Sequence, residues 1–321
     1  MTEAENQGTQ AARPTFGQRV FLGQDGRVRP IWRALVFMVL SIFLIAVVNV
    51  AVRAFLHAAF PEYLKSLPKG GLPPLRVLSL GYVLTNTVLL LLSWLLLATL
   101  DRRSFRALGL WFYSGWGREL LQGIGIGAGL QVAIAGALLI TRGVSYHGLA
   151  GGGSRGLLGI LGIGGLLVLA AAFEEILTRG YGFQRLVDSI TPLGAVLVFS
   201  ALFGAAHLGN PNVTALSTAN AVLAGVMLAV AYLKTRALWL PIGLHWAWNF
   251  TMGAVFSLPV SGLKPAPALL SADITGAKWW TGGPYGPEGG VVVTVVSLAA
   301  ILWLARTRKV APSPAMEEVL K

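Results

Sequence analysis

The sequence predicts an all-α, polytopic transmembrane helical bundle with about eight spans. Of the 321 residues, 55% are hydrophobic and only 12% are charged, whereas soluble domains carry about 25% charged residues. The apolar residues cluster in runs of about 20, the length that a helix needs to cross a hydrocarbon core of roughly 30 Å. The alternation of polar and apolar residues that is typical of transmembrane barrel strands is absent. Helices are therefore predicted rather than strands.

Eight apolar runs are assigned as spans. They are residues 34–55, 77–100, 120–141, 158–187, 193–208, 213–233, 237–256 and 290–305. The chain is thus divided into a polar N-terminal tail (1–33), a helical bundle (34–305) and a basic C-terminal tail (306–321). The tail is too long, and the first run too apolar, for a secretory signal. Pro and Gly residues predict loops at 60–74 and at Gly151–Gly153.

The net charge of +12 is explained by membrane topology rather than by nucleic-acid binding, because the basic residues lie at the ends of the apolar runs. With eight spans, 17 of the 25 Lys and Arg residues fall on the side of the termini and 8 on the opposite side. This bias predicts a multi-pass plasma-membrane protein with both termini in the cytoplasm. The chain has no cysteine, which excludes disulfides and thiol catalysis.

Two adjacent carboxylates, Glu174 and Glu175, follow an apolar run in the fourth span. One ionised carboxylate at the centre of a span costs about 2.5–3.5 kcal/mol on insertion scales. Glu175 and Arg179 are four positions apart, so they share a helix face and are expected to pair. Glu174 is turned by about 100° and has no cation nearby in the sequence. The alternative is that the span ends near Leu177 and that both glutamates lie at the wet interface.

Two further spans each carry a polar pair at helical spacing. The fifth span ends in Phe203 and His207, and the seventh contains His245 and Asn249. Side chains four positions apart stack on one face of a helix. A histidine in an apolar span is commonly a satisfied polar residue, but a second histidine with an amide one turn away favours a site.

The depths of these residues in the bilayer are expected to match. If the fourth helix continues to about Val187 and the turn centres near Ile190, Glu174 and His207 are level in an antiparallel hairpin. His245 lies about 9 residues beyond the start of its span, roughly 14 Å deep at 1.5 Å per residue. All three side chains are therefore expected to meet near the middle of the bilayer.

This set of residues suits amide hydrolysis without a serine or cysteine nucleophile. A carboxylate and a histidine at one depth can deprotonate a water molecule. A second histidine and an asparagine amide can donate hydrogen bonds to a developing oxyanion. The set Glu174, His207 and His245 is equally typical of a divalent-metal site, such as one for zinc. The residues alone leave both possibilities open.

The three motifs, Glu-Glu-x-x-x-Arg, Phe-x-x-x-His and His-x-x-x-Asn, each in its own span, resemble those of the CPBP family of intramembrane proteases. That family includes the type II CAAX prenyl endopeptidases and the bacterial Abi proteins. The resemblance covers about residues 156–262, where Arg179-Gly180-Tyr181 and Pro259-Val260-Ser261-Gly262 also look like the family.

The resemblance implies roles for individual residues. Glu174 and His207 would activate the attacking water, and His245 and Asn249 would stabilise the oxyanion. Three residues would support the site, namely Glu175, Arg179 and Phe203. The cofactor expectation is either that none is required or that one divalent metal such as zinc is bound.

The predicted function is therefore an intramembrane endopeptidase that acts on a membrane-associated peptide or protein, with the lipid bilayer and not nucleic acid as its environment. One alternative is a non-proteolytic scaffold or bacteriocin-immunity protein, which the same family includes. The other is an ion-coupled transporter, since buried Glu and His residues also mark ion pathways. Many transporters contain inverted repeats, and none is evident in this sequence.

Overall fold

A computed structural model of the protein describes residues 15–61, 74–150 and 153–320. Its α-helices are α1 (Phe16–Phe21), α2 (Pro30–Ala59), α3 (Leu75–Leu96), α4 (Trp116–Ile140), α5 (Gly153–Arg179), α6 (Tyr181–Ser189), α7 (Pro192–Ala206), α8 (Ala215–Thr235), α9 (Trp239–Phe250), α10 (Lys278–Thr281), α11 (Val291–Arg306) and α12 (Pro314–Leu320). The π-helical segments Leu97–Asp101 and Thr251–Val255 extend α3 and α9. Short 3-10 turns occupy Phe105–Leu108, Gly283–Tyr285 and Pro287–Gly289.

The predicted polytopic helical bundle is confirmed, because each of the eight predicted spans coincides with a helical segment. Five segments are long and apolar enough to cross a membrane, and they are α2, α3, α4, α5 with α6, and α8. The helices α7, α9 and α11 are shorter, at 15, 12 and 16 residues. Part of the predicted N-terminal tail (1–14), most of the predicted loop at 60–74 and part of that at 151–153 lie outside the described residues.

The fourth span is interrupted, which differs from the expectation of one continuous helix to about Val187. Helix α5 ends at Arg179, and α6 begins at Tyr181. Gly180 between them has a non-helical ψ of −141°. A Cβ atom at Gly180 would lie only 2.2 Å from the carbonyl oxygen of Ile176, so glycine is the residue that fits at this break without a steric clash.

Charged contacts bring one set of helix ends together. Buried Asp101, at the end of the α3 extension, accepts hydrogen bonds from Arg33 in α2 at 2.5 Å and from Arg185 in α6 at 2.9 Å. Lys234, at the end of α8, donates to the carbonyl oxygen of Thr307 just after α11. These contacts gather the start of α2, the end of the α3 extension, α6 and the ends of α8 and α11 at one end of the bundle.

The other end of the bundle contains two strands that the sequence did not predict. Strand β1 (Val144–Leu149) pairs with β2 (Leu270–Ile274) in an antiparallel ladder. β1 belongs to the connection between α4 and α5, and β2 to the long connection after α9. Gly262 of that long connection packs against the turn after α7, where its Cβ would lie 2.1 Å from the oxygen of Pro211.

Helix α9, which carries His245, is held close to two neighbouring helices. It crosses α4 at two glycines of a Gly-x-x-x-Gly pattern, where a Cβ at Gly123 would lie 2.2 Å from the Leu240 oxygen and one at Gly127 would lie 2.3 Å from the Leu244 oxygen. Small residues of this kind let helix backbones approach closely in membranes. On another side, the Trp246 indole donates to the carbonyl oxygen of Gly164 in α5 at 2.9 Å. The position of His245 is therefore fixed from two directions.

Candidate active site

A cavity of about 570 Å³ lies among the helices and is lined by all four residues that the motifs indicated as catalytic, Glu174, His207, His245 and Asn249. They come from α5, the C-terminal end of α7, and α9. The fold therefore brings together residues up to 75 positions apart in the sequence. Phe203 also lines this cavity. Glu175 and Arg179 are fully buried beside it.

The predicted pair of Glu175 and Arg179 is present, and it has a third member. Arg179 Nη1 lies 3.1 Å from Glu175 Oε1, and the same oxygen lies 2.8 Å from His245 Nδ1. Because an ionised carboxylate only accepts hydrogen bonds, Nδ1 of His245 carries a proton and donates it. This leaves Nε2 of His245 directed toward the cavity. Arg179 also donates to the carbonyl oxygen of Gly225 in α8 at 2.9 Å.

Glu174 faces the cavity, as its rotation away from Glu175 predicted. Its side chain is 28% exposed, and its Oε2 lies 3.8 Å from His245 Nε2. That separation is too long for a direct hydrogen bond, and it suits a bridging water molecule. The two neighbouring glutamates therefore differ in setting, since one is buried and bonded and the other is open to the cavity.

His207 is oriented by its own helix. Its Nδ1 lies 2.7 Å from the carbonyl oxygen of Phe203, which can only accept, so Nδ1 carries the proton. In the neutral ring, Nε2 is then left as a free acceptor. The ring of Phe203 lies 4.8 Å from the ring of His207 and 6.1 Å from that of His245. Phe203 therefore contacts both imidazoles.

Asn249 lies one turn beyond His245, and both side chains line the cavity as the spacing predicted. Its side-chain amide is half-buried and has no hydrogen-bond partner within the described part of the chain. Such an amide is available to a bound molecule. Asn249 thus presents an amide, which can donate and accept hydrogen bonds, to the cavity one turn from His245.

The sequence reasoning missed a polar wall that faces these residues from the connections at one end of the bundle. The carboxylate of Glu288 accepts hydrogen bonds from Trp248 Nε1 at 2.9 Å, and from the amide and hydroxyl of Ser261 at 2.6 and 2.8 Å. Burial, together with the charge of Glu288, raises the pKa of the Tyr285 hydroxyl above its usual value. Glu288 and Asp273 are the two acidic residues of the Pro- and Gly-rich stretch 257–289. Their presence in that stretch is the feature of the sequence that could have indicated this wall.

Glu174, His207 and His245, which the sequence also offers as metal ligands, all line the cavity. Within the described ranges, no group of three or more His, Asp or Glu side chains is placed to hold a metal ion. In both histidines Nδ1 is engaged in a hydrogen bond, with Glu175 for His245 and with the Phe203 carbonyl for His207, which leaves Nε2 as the ring nitrogen that could take a ligand. A catalytic zinc ion takes three protein ligands. Because these three side chains are not placed as one such set, the reaction proposed below uses the protein's own side chains.

These features define an integral membrane protein of the polytopic helical class, with glutamate and histidine side chains around an internal cavity. Residues 156–251 match the family described as Type II CAAX prenyl endopeptidase Rce1-like. The matched segment contains all three motifs, so the resemblance that the motifs predicted is confirmed over this segment. No curated protein and no solved structure matches the chain. At the level of the family, the match supports an intramembrane protease.

Proposed function

We propose that this protein is an intramembrane endopeptidase that hydrolyses a peptide bond of a membrane-associated polypeptide with a water molecule activated by Glu174 and His207. The observation that carries the proposal is the convergence of Glu174, His207, His245 and Asn249, from separate helices, on one cavity. We place the enzyme in the plasma membrane with both termini in the cytoplasm, on the strength of the basic bias.

Glu174 is the general base of the proposed reaction. Of the two adjacent carboxylates, Glu174 is the one that faces the cavity, whereas Glu175 is hydrogen-bonded to neighbouring side chains. The free Nε2 of His207 accepts a hydrogen bond from the same water and orients it. As the water oxygen bonds to the carbonyl carbon, its proton passes to Glu174, which then delivers a proton to the departing amine.

His245 and Asn249 are the proposed oxyanion donors. The Asn249 amide is free, and Nε2 of His245 faces the cavity while Nδ1 is bonded to Glu175. When Nε2 also carries a proton, both side chains donate to the oxygen that becomes negative in the tetrahedral intermediate. Glu175 and Arg179 have positioning roles, because they hold His245 without reaching the cavity.

The test is a comparison of peptide termini in membranes from cells that carry wild type, Glu174→Gln or Asp273→Asn. Asp273 is a matched control, since its side chain is 72% exposed and, in the part of the chain that the structure describes, pairs only with exposed His147. We expect at least one cleavage product that wild type and Asp273→Asn share and that Glu174→Gln lacks. Identical sets of termini from all three proteins would refute the protease. A pH-coupled flux that Glu174→Gln abolishes would instead identify a transporter.

A further inference from the structure

A second cavity, of about 190 Å³, lies at the end of the bundle where α2 begins and the α3 extension ends. It is formed by the segment between α1 and α2, the residues around the end of the α3 extension, and α6. We refer to it as the arginine cleft, because it is lined by five arginines: Arg27, Arg29, Arg33, Arg103 and Arg185. No described residue lines both this cleft and the cavity around Glu174.

The arginine cleft is positively charged overall. Three aspartates, Asp25, Asp101 and Asp188, also line it, and five arginines against three aspartates leave a formal charge of +2. Each aspartate forms an ion pair with at least one of the arginines. Arg29 and Arg103 have no acidic partner in the described part of the chain. The excess positive charge is therefore available to an anion.

The two buried arginines of the cleft keep donors that no protein group uses. Arg33 and Arg185 are 6% and 5% exposed, and both bond Asp101 through Nη1. The Nε group of each is buried without a hydrogen-bond partner among the described residues. A buried donor that stays unpaired is costly, and the planar guanidinium matches the geometry of phosphate oxygens. These donors indicate that the cleft is completed by an anionic acceptor.

The segment before α2 is held in place over the cleft. The backbone pairs at Leu22 and Val28, and the side chain of Arg29 donates to the Leu22 carbonyl oxygen at 2.9 Å. Arg27 Nη1 lies 3.3 Å from the carbonyl oxygen of Asp101, which joins this segment to the α3 extension. The exposed Arg29 is thus fixed at the edge of a shaped cleft.

The cleft lies at the level expected for lipid headgroups. Val36 and Val39 of α2 are 40% and 64% exposed, and they follow Arg33 by three and six residues, or about 5 and 9 Å along the helix. The short helix α1 also exposes apolar side chains, with Phe16 at 84% and Phe21 at 51%. Aromatic side chains are enriched at this level of the membrane. A molecule in the cleft would therefore have apolar, lipid-facing surface directly beside it.

We propose that the arginine cleft binds the phosphate of an anionic phospholipid headgroup. Arg29 and Arg103 donate to the phosphate oxygens from the exposed side, and the unpaired donors of Arg33 and Arg185 face the same anion from the buried side. Free phosphate has the same chemistry, but the apolar surface of α2 beside the cleft favours a ligand with acyl chains. The proposed cytoplasmic placement of the termini puts the cleft at the leaflet that carries anionic lipids. The proposal does not depend on proteolysis.

The matched variants for the test are adjacent in the sequence. Arg103→Gln removes an exposed arginine of the cleft, and Arg102→Gln makes the same change at an exposed arginine that does not line it. Each full-length protein is purified in a neutral detergent, and its unfolding temperature is measured as phosphatidylglycerol, phosphatidylcholine or inorganic phosphate is added. A ligand that binds the folded protein raises this temperature with concentration, so the titration gives an apparent affinity.

We expect phosphatidylglycerol to stabilise wild type and Arg102→Gln with equal affinity, and Arg103→Gln with an affinity about tenfold lower, because one charged donor is lost. Arg29→Gln should respond as Arg103→Gln does. Without lipid, Arg102→Gln and Arg103→Gln should unfold at the wild-type temperature, since both side chains are exposed. Equal affinities for all four proteins, or equal effects of phosphatidylcholine and phosphatidylglycerol, would overturn the site. Inorganic phosphate that binds as tightly as phosphatidylglycerol would overturn the assignment to a lipid.

Discussion

Neutralising Glu175 is the most direct test of how the buried cluster of Glu175, Arg179 and His245 is held together. Glu175→Gln keeps the shape of the side chain and removes its charge. The side chains of Glu175 and Arg179 are 0% and 1% exposed, so Arg179 would be left as a buried cation without its bonded anion. Breaking a buried ion pair by removing one partner costs about 3–5 kcal/mol. That is a large share of a typical total stability of about 5–15 kcal/mol.

Glu174→Gln is the matched control, because it makes the same chemical change at the adjacent position. The Glu174 side chain is 28% exposed, and its Oε2 lies 3.8 Å from Nε2 of His245, so we expect a loss below about 1 kcal/mol. The free energy of unfolding of both variants is measured in one detergent, together with Arg179→Gln and the double variant Glu175→Gln/Arg179→Gln. Because the two residues are bonded, the double variant should lose less than the sum of the single losses. Equal stability of the two glutamate variants, or strictly additive losses at Glu175 and Arg179, would refute the reasoning.

Three further outcomes are expected. Asn249→Ala should lower turnover about 10²–10³-fold with an unchanged unfolding midpoint, since it removes one oxyanion donor; wild-type turnover would contradict that role. Purified protein should keep its activity after treatment with a strong chelator, whereas activity lost on chelation and restored by zinc, with stoichiometric zinc by elemental analysis, would contradict the metal-free site. Gly127→Ala should destabilise the protein by about 1–3 kcal/mol, because the new Cβ would lie 2.3 Å from the Leu244 oxygen. Gly129→Ala, with no atom within 4 Å of its new Cβ, should not be destabilised; equal losses would show that the close crossing of α4 and α9 does not matter.

The parts of the structure that sequence reasoning predicted are those set by local spacing. The spans follow from the lengths of apolar runs, and the pair of Glu175 and Arg179 follows from their separation of one helical turn. The separate orientation of Glu174 follows from the same helical rotation. Each of these features depends on residues within a few positions of one another, so the sequence contains them directly.

The parts that could not be predicted depend on contacts between distant segments. The bond between Glu175 and His245 joins residues 70 positions apart. It requires the close crossing of α9 with α4. The Gly-x-x-x-Gly pattern at Gly123 and Gly127 indicates a close helix contact, but it does not identify the helix that packs there. The wall around Glu288 depends on a long connection that folds back over the end of the bundle. The break at Gly180 is local, but glycine is tolerated within helices, particularly in membranes, so its presence alone does not mark an end.

Phe203 connects the three motifs through direct contacts. The Arg179 guanidinium lies 4.8 Å from the centre of the Phe203 ring, a cation–π contact that supports a cation buried away from water. The carbonyl oxygen of Phe203 orients His207, and its ring contacts those of both histidines. Arg179 in turn shares the Glu175 oxygen that holds His245. The buried arginine is thereby connected to both imidazoles, so we expect a change at Arg179 to disturb the positions of His207 and His245 together.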